Sequence, residues 1–166
     1  APTPFRRRFV QSVAAFAALV VSAGWWIAIV ELWPASSRPY IGGSQSNSIM
    51  ELVLGYNGLG RLTGNETGSV VAGGTGSAGR WGATGWARMF GDEFGAQASW
   101  LLPAAIVLLG AGLLLRGRAG RTDIRRAGYL VWGGWLIVTA GAFSFGQGII
   151  HAYYAVALAP AIGALV

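Results

Sequence analysis

Two arginines and one histidine are the residues of this chain best suited to binding an anionic group. Arg38 lies in the stretch Ser-Arg-Pro-Tyr-Ile-Gly-Gly-Ser, and Arg61 closes the stretch Leu-Gly-Tyr-Asn-Gly-Leu-Gly-Arg. Prolines on both sides of Arg38 restrict the backbone and direct its guanidinium, which can fork onto phosphate oxygens. Glycine amides around Arg61 could add an anion nest. The alternatives are that Arg38 snorkels to lipid or pairs with Glu31, and that Arg61 is an ordinary loop arginine.

Further polar side chains near these arginines could contact a hydroxyl-rich substrate. A short helix is predicted over 46–55, with Ser46 or Asn47 as its cap, and Asn47 and Glu51 would share one of its faces. Pairing with a neighbouring arginine is the favoured alternative for Glu51. The Tyr56-Asn57 pair could present a hydroxyl and an amide to a sugar, or could simply form a turn.

His151 is the only histidine and is followed by Ala152, Tyr153 and Tyr154. A lone histidine at an interface is more often structural than functional, but the two tyrosines supply half of a polar cluster. The chain has no cysteine. Without cysteine, a second histidine or a close acidic pair beside His151, no metal site and no cofactor are expected within this segment. The glycines do not follow a P-loop or dinucleotide-binding spacing.

The composition is that of a membrane protein. Of 166 residues, 54% are hydrophobic and 11% are charged, whereas a soluble domain carries about 25% charged residues. All twelve basic residues are arginines, which give a formal net charge of +6. Most of them flank apolar runs and none alternates with exposed aromatic residues, so nucleic-acid binding is not expected.

Four apolar segments predict an all-α polytopic membrane protein with about four transmembrane helices. They cover about 9–30, 99–115, 129–145 and 153–166. The first run alone is long enough for a hydrocarbon core of roughly 30 Å. The last run stops short, so the chain is expected to be a piece of a longer polypeptide. Small residues such as Gly110 with Gly112, and Gly133 with Gly134, are expected to let helices pack closely.

The arginines predict how the segments are oriented. Arginines before the first span and throughout 116–127 place those regions in the cytoplasm, which puts the loop 31–98 outside the plasma membrane. Within that loop, 67–85 is predicted to be flexible because it is rich in glycine and serine. Residues 86–98 are predicted as an interfacial helix. Its membrane face would hold Trp86, Met89, Phe90 and Phe94, and its water face Arg88, Asp92 and Glu93.

Long stretches of the chain resemble the bacterial glycosyltransferase family 39 proteins, which include protein mannosyltransferases and lipid A aminoarabinose transferases. The actinobacterial branch is the most similar. The resemblance rests on residues 33–44, 47–61, 90–95, 99–103 and 143–161 and spares only the glycine-rich loop. One departure is Ala152, where the family pattern has a proline after the histidine.

The resemblance implies a GT-C type fold and an inverting enzyme that takes a sugar from a polyprenyl-phosphate carrier on the outer membrane face. The family's acidic catalytic base lies in an earlier loop, so this segment would bind the donor and be inactive alone. The donor phosphate would meet Arg38, Arg61, His151 and Tyr153. The sugar or substrate would meet Tyr40, Asn47, Glu51, Tyr56 and Asn57. Implied partners are the lipid bilayer, the donor and the remainder of the polypeptide.

Two points stay open from the sequence. The resemblance leaves open a divalent metal in the full enzyme. The alternative function is a non-catalytic membrane subunit or a transporter segment, although the spans contain few polar residues that could line a transport path.

Overall fold

The computed structural model describes residues 3–65 and 82–166, and the regular elements in those ranges are all helices. Three helices are long and apolar enough to cross a membrane: Phe5–Leu32, Ser99–Arg116 and Ile124–Phe145. The predicted all-α membrane fold is therefore confirmed. The fourth predicted span forms a shorter apolar helix, Ala152–Leu165. The predicted flexible loop over 67–85 lies outside the described residues except for 82–85.

Helix α1 (Phe5–Leu32) has apolar side chains on all sides and no buried residue. Its 28 residues give a length of about 42 Å at 1.5 Å per residue, more than a hydrocarbon core of roughly 30 Å requires. A helix that is apolar all round is stable only inside lipid or protein. Its exposed surface therefore belongs in the bilayer or against other membrane helices.

Three helices form the packed part of the molecule: α3 (Leu102–Arg116), α4 (Ile124–Phe145) and α5 (Ala159–Leu165). A 3-10 segment, Ala152–Leu158, leads into α5 and contributes the fully buried Ala155 and Leu158. Core side chains come from α3, α4 and α5 and from the 3-10 segments and loops beside them. They are Met89, Phe94, Leu102, Ala105, Leu109, Leu136, Ile150, Ala155, Leu158, Ala161, Ile162 and Leu165.

Glycines bring α3 and α4 together at two points. A Cβ atom on Gly112 would lie 2.4 Å from the Tyr129 ring, and one on Gly133 would lie 2.5 Å from Leu109. Larger residues at either position would push the helices apart, so the predicted role of small residues in helix packing is confirmed there. Gly110 and Gly134 face open space.

The segment from residue 86 to α3 differs from the amphipathic interfacial helix predicted for it. A 3-10 turn, Trp86–Phe90, is followed by a bend at Gly91, by turns over 92–97 and by a second 3-10 turn, Ala98–Leu101. Arg88, Met89 and Phe94 are buried, whereas Trp86 and Phe90 are exposed. The predicted water-facing position of Arg88, and the membrane-facing positions of Met89 and Phe94, are therefore wrong. Arg88 is drawn inward because carbonyl groups at the end of α4 need donors.

The short helix predicted over 46–55 begins later and continues further. Helical turns run over 49–63, as a π-helical segment, Glu51–Leu59, followed by helix α2 (Gly60–Thr63). The cap is Ser48, whose hydroxyl accepts from the Met50 N–H at 3.1 Å. The predicted cap at Ser46 or Asn47 is wrong, because both side chains bond elsewhere and Asn47 has a positive φ of 57°.

Candidate functional site

Glycines shape the turn that carries Arg61. The backbone departs from helical geometry at Gly58, where a Cβ atom would lie 2.2 Å from the Val53 carbonyl oxygen. A Cβ atom on Gly60 would lie 2.2 Å from the Gly55 carbonyl oxygen. No side chain fits at either position, so these glycines are required for the kink that directs Arg61 toward the end of α4.

Arg61 is held there by the loop that follows α4. The Gly148 N–H donates to the Arg61 carbonyl at 3.0 Å, and the Gln147 N–H donates to the Leu62 carbonyl at 3.2 Å. The Arg61 guanidinium in turn donates to the Ile149 carbonyl at 3.1 Å. Backbone and side chain thus fix the arginine against one short loop.

The Arg61 guanidinium lies against an aromatic ring and lines a cavity. Its central carbon is 4.6 Å from the centre of the Tyr56 ring, which is cation–π geometry. The cavity measures about 220 Å³ and is also lined by Phe143, Ile150 and Tyr154. Most of this wall is apolar, and Arg61 is the charged residue among the described side chains that line it.

His151 extends this site through two tyrosines. Its ring stacks on Tyr153, with centroids 5.2 Å apart and planes 7° apart, and meets the edge of Tyr154 at 5.5 Å. Tyr154 reaches the cavity beside Arg61, whereas Tyr153 is 64% exposed. Tyr56, Arg61, His151, Tyr153 and Tyr154 therefore form one continuous group, the Arg61 cluster.

Arg38 lies in a different environment. Its guanidinium donates to the carbonyl of Asn47 at 2.6 Å, to that of Trp33 at 2.8 Å and to that of Glu31. It also lies 3.6 Å from the Glu31 carboxylate, and its side chain is only 8% exposed. The pairing with Glu31 that the sequence offered as an alternative is thus present. Arg38 joins the end of α1 to the loop that follows it.

The Glu31 carboxylate also binds the start of the helical turns that begin at residue 49. It accepts from the Ser48 hydroxyl at 2.9 Å and from the Ile49 N–H at 3.0 Å. The Asn47 side chain accepts from the Ile41 N–H at 2.7 Å. Glu31, Arg38, Asn47 and Ser48 form the Arg38 cluster, in which each side chain bonds to the surrounding loop.

Glu51 binds the turn that precedes it. Its carboxylate accepts from the Ser46 hydroxyl and from the backbone N–H groups of Gln45 and Ser46. The Ser46 hydroxyl, followed by the Gln45 amide, lowers the pKa of Glu51 from its usual value. The carboxylate is therefore ionised while it holds the turn.

The remaining predicted contacts are more exposed. Tyr40 is 78% exposed and borders an apolar groove of about 440 Å³ that Trp26, Trp33 and Arg38 also line. This groove shares no lining residue with the Arg61 cavity. Asn57 is exposed on the π-helical segment. The structure thus brings together Arg61, Tyr56, His151 and Tyr153, and it leaves Arg38, Tyr40 and Asn47 in a second group.

Tyr154 and Arg88 matter to this site although neither was among the predicted site residues. The sequence did indicate Tyr154, because it lies beside His151 and Tyr153. The sequence did not indicate Arg88, because its role depends on carbonyl groups that are distant in sequence. Within residues 3–65 and 82–166, no group of three or more His, Cys, Asp or Glu side chains is arranged to hold a metal ion.

Fold and site define a helical membrane protein with a cationic, aromatic-lined site at the end of α4. The chain is 30% identical to "Putative mannosyltransferase YkcB" of Bacillus subtilis (strain 168), in an alignment that covers 97% of this chain and 34% of that protein. It is also 30% identical to "Putative mannosyltransferase YycA" of the same organism, with 87% of this chain and 32% of that protein covered.

The chain spans about a third of the length of these curated relatives. No family model and no solved structure matches it. The two similarities support a relationship with glycosyltransferases.

Proposed function

We propose that this chain is part of a membrane glycosyltransferase of the family 39 type, which moves a sugar from a polyprenyl-phosphate donor to an acceptor on the outer membrane face. In this proposal the Arg61 cluster binds the donor phosphate. The similarity to two proteins named as mannosyltransferases supports the transferase class and suggests mannose as the first sugar to test. The apolar helices support a lipid-linked substrate.

The observation that carries the proposal is the position of the Arg61 guanidinium on the wall of an apolar cavity. When a sugar leaves a lipid phosphate, negative charge grows on the phosphate. A fixed cation in a site of low dielectric stabilises that charge more than water does, and it needs no rearrangement during the reaction. Arg61 is fixed in this way by the Ile149 carbonyl and the Tyr56 ring.

The other candidate residues take different parts in this proposal. His151 and Tyr153 extend the phosphate site from Arg61, and Tyr56 lies where a sugar could contact its ring. Tyr40 and Asn57 are further candidates for sugar contact because both are exposed. Arg38, Asn47 and Glu51 hold the loop, since their polar groups bond within it. The catalytic base lies outside this segment.

The test is sugar transfer by the full-length protein in membranes, with radiolabelled polyprenyl-phosphate mannose as donor. Replacing Arg61 with glutamine removes the cation, so we expect the rate to fall by on the order of 10²–10³. Arg61→Lys keeps a positive charge but cannot donate two parallel hydrogen bonds to the phosphate. Its transfer rate should therefore lie between those of the wild-type protein and Arg61→Gln. Arg118→Gln is the matched control, because Arg118 is an exposed arginine in the loop between α3 and α4.

Two results would count against the proposal. Transfer by Arg61→Gln at the wild-type rate would remove Arg61 from phosphate binding. Donor binding without transfer by the wild-type protein, over a series of polyprenyl-phosphate sugars and acceptors, would favour a non-catalytic membrane subunit.

A further inference from the structure

Arg88 is a buried arginine that binds the end of a membrane helix. Its side chain is among the few buried polar groups in the described ranges, and only 7% of the residue is exposed. The guanidinium donates to the carbonyl groups of Phe143 and Gly146 at the end of α4, and to that of Gly82 on its own segment. It therefore joins the chain before α3 to the chain after α4.

The reason for this arrangement lies in the last turn of α4. The final carbonyl groups of a helix have no partner inside the helix and carry a partial negative charge. Here the Gly85 N–H donates to the Ser144 carbonyl at 2.8 Å, and the Arg88 guanidinium donates to the Phe143 carbonyl at 3.1 Å. Burial lowers the pKa of the Arg88 guanidinium, but arginine remains protonated in proteins. A cation thus caps the helix terminus that needs one.

Gly146 connects Arg88 to the Arg61 cluster. The Gly146 carbonyl accepts from Arg88, and a Cβ atom on Gly146 would lie 3.2 Å from the Arg61 carbonyl oxygen. The next two N–H groups along the chain, those of Gln147 and Gly148, donate to the backbone of Leu62 and Arg61. The Gly146 carbonyl that Arg88 holds and the Gln147 N–H belong to the same peptide unit, and the Gly148 N–H that binds Arg61 belongs to the next one.

We propose that Arg88 is a positioning residue for the Arg61 cluster. By fixing the Gly146 carbonyl, it orients the loop 146–149, and that loop in turn sets the backbone and the guanidinium of Arg61 at the cavity. What the positioned guanidinium binds rests on the proposed function. The positioning itself rests only on the hydrogen bonds between Arg88, the loop and Arg61.

The test compares two arginines that lie near opposite ends of α4 and donate to backbone carbonyls. Arg88→Lys keeps the charge but cannot reach the Gly82, Phe143 and Gly146 carbonyls together. The control is Arg126→Lys, because the Arg126 guanidinium also donates to a backbone carbonyl, that of Ala119 at 2.9 Å. Both variants are made in the full-length protein in lipid nanodiscs, and Arg88→Gln serves as a second, uncharged replacement.

Two measurements are made on each variant. Hydrogen exchange of the Gln147 and Gly148 amides should become about ten-fold faster in Arg88→Lys, because the loop is less restrained. It should stay unchanged in Arg126→Lys. The KM for a polyprenyl-phosphate mannose donor should rise about ten-fold in Arg88→Lys, while the KM for the acceptor stays the same, because a misplaced Arg61 binds the phosphate less well.

The results separate this inference from the proposed function. Unchanged exchange at Gln147 and Gly148 in both Arg88 variants would overturn the positioning role, whatever the kinetics show. Faster exchange with kcat and the donor KM both unchanged would support the positioning role and remove Arg61 from donor binding. Faster exchange spread equally over the amides of α3 and α4 would reduce Arg88 to a general contribution to stability.

Discussion

Arg38 and Arg61 lie in the same loop region of the sequence but in two different kinds of structure. Arg38 donates to three backbone carbonyls and pairs with Glu31, so its side chain is almost completely buried. Arg61 is partly buried, lies over an aromatic ring and lines a cavity. Both guanidinium groups border a pocket and donate to backbone carbonyls, so the difference lies in burial and neighbours: Arg38 is enclosed by its own loop, whereas Arg61 is partly buried over the Tyr56 ring.

The largest effect that would sharpen this comparison is expected from Arg38→Ala. Truncation leaves the carbonyl groups of Trp33 and Asn47 without their donor and the Glu31 carboxylate without its cation. We expect the free energy of local unfolding of the loop 31–50 to fall by about 3 kcal/mol. Hydrogen exchange of the Ile41 and Ile49 amides measures it, since these amides bond to Asn47 and Glu31.

Arg38→Lys is the control for this experiment, because lysine keeps the charge and can reach some of the same carbonyls. It should lose about half as much stability. If Arg38→Ala left both amides protected but abolished donor binding, the division between a structural and a ligand-binding arginine would be wrong.

A smaller effect is expected from Tyr56→Leu in the Arg61 cluster. Leucine keeps a smaller apolar side chain without the ring that faces the guanidinium, and a partly exposed cation–π contact contributes about 1 kcal/mol. Sugar transfer should therefore fall about five-fold, while exchange at Ile41 and Ile49 stays unchanged. Leu54→Ala, an exposed substitution on the same π-helical segment, should leave transfer intact. Loss of protection at Ile49 in Tyr56→Leu would show that the two clusters are coupled.

The smallest effect concerns acid. Because the folded-state pKa of Glu51 is lowered, its contribution to stability is present above the unfolded value of about 4.3 and is lost as the pH falls through the folded value. Exchange at the Gln45 and Ser46 amides, corrected for intrinsic rate, should therefore rise as the pH is lowered below about 4.3. Glu51→Gln should show the faster exchange already at neutral pH. An equal acid response at Gln147 and Gly148 would assign the effect to global unfolding.

Much of the fold could be predicted because membrane helices are set by local composition. The apolar runs around 9–30, 99–115 and 129–145 each correspond to a described helix. The ends of the short helices could not be predicted in the same way. The turns that begin at residue 49 start where the Glu31 carboxylate, distant in sequence, meets the Ile49 N–H. Hydrophobic periodicity and helix propensity contain no information about that hydrogen-bond partner.

The site was only partly predictable for the same reason. Arginine, histidine and tyrosine types indicated an anion or sugar site, and four of the predicted residues lie in the Arg61 cluster. Their division from Arg38, Tyr40 and Asn47 depends on which carbonyl or cavity each side chain meets. Arg88 shows this most clearly, because its neighbours Asp92 and Glu93 predicted a water-facing side chain, whereas the end of α4 draws it inward.

The sequence by itself determined the class of this protein, since long apolar runs satisfy their backbone groups as helices regardless of what surrounds them. It also determined the residue types available for binding an anion. The tertiary structure alone decided which arginine is buried in its own loop, which caps a helix and which lies over an aromatic ring beside a cavity. A guanidinium donates to the acceptors that lie nearest to it. Only the folded chain determines whether these are carbonyl groups of its own loop or those of a distant helix end, and whether the guanidinium also faces a cavity.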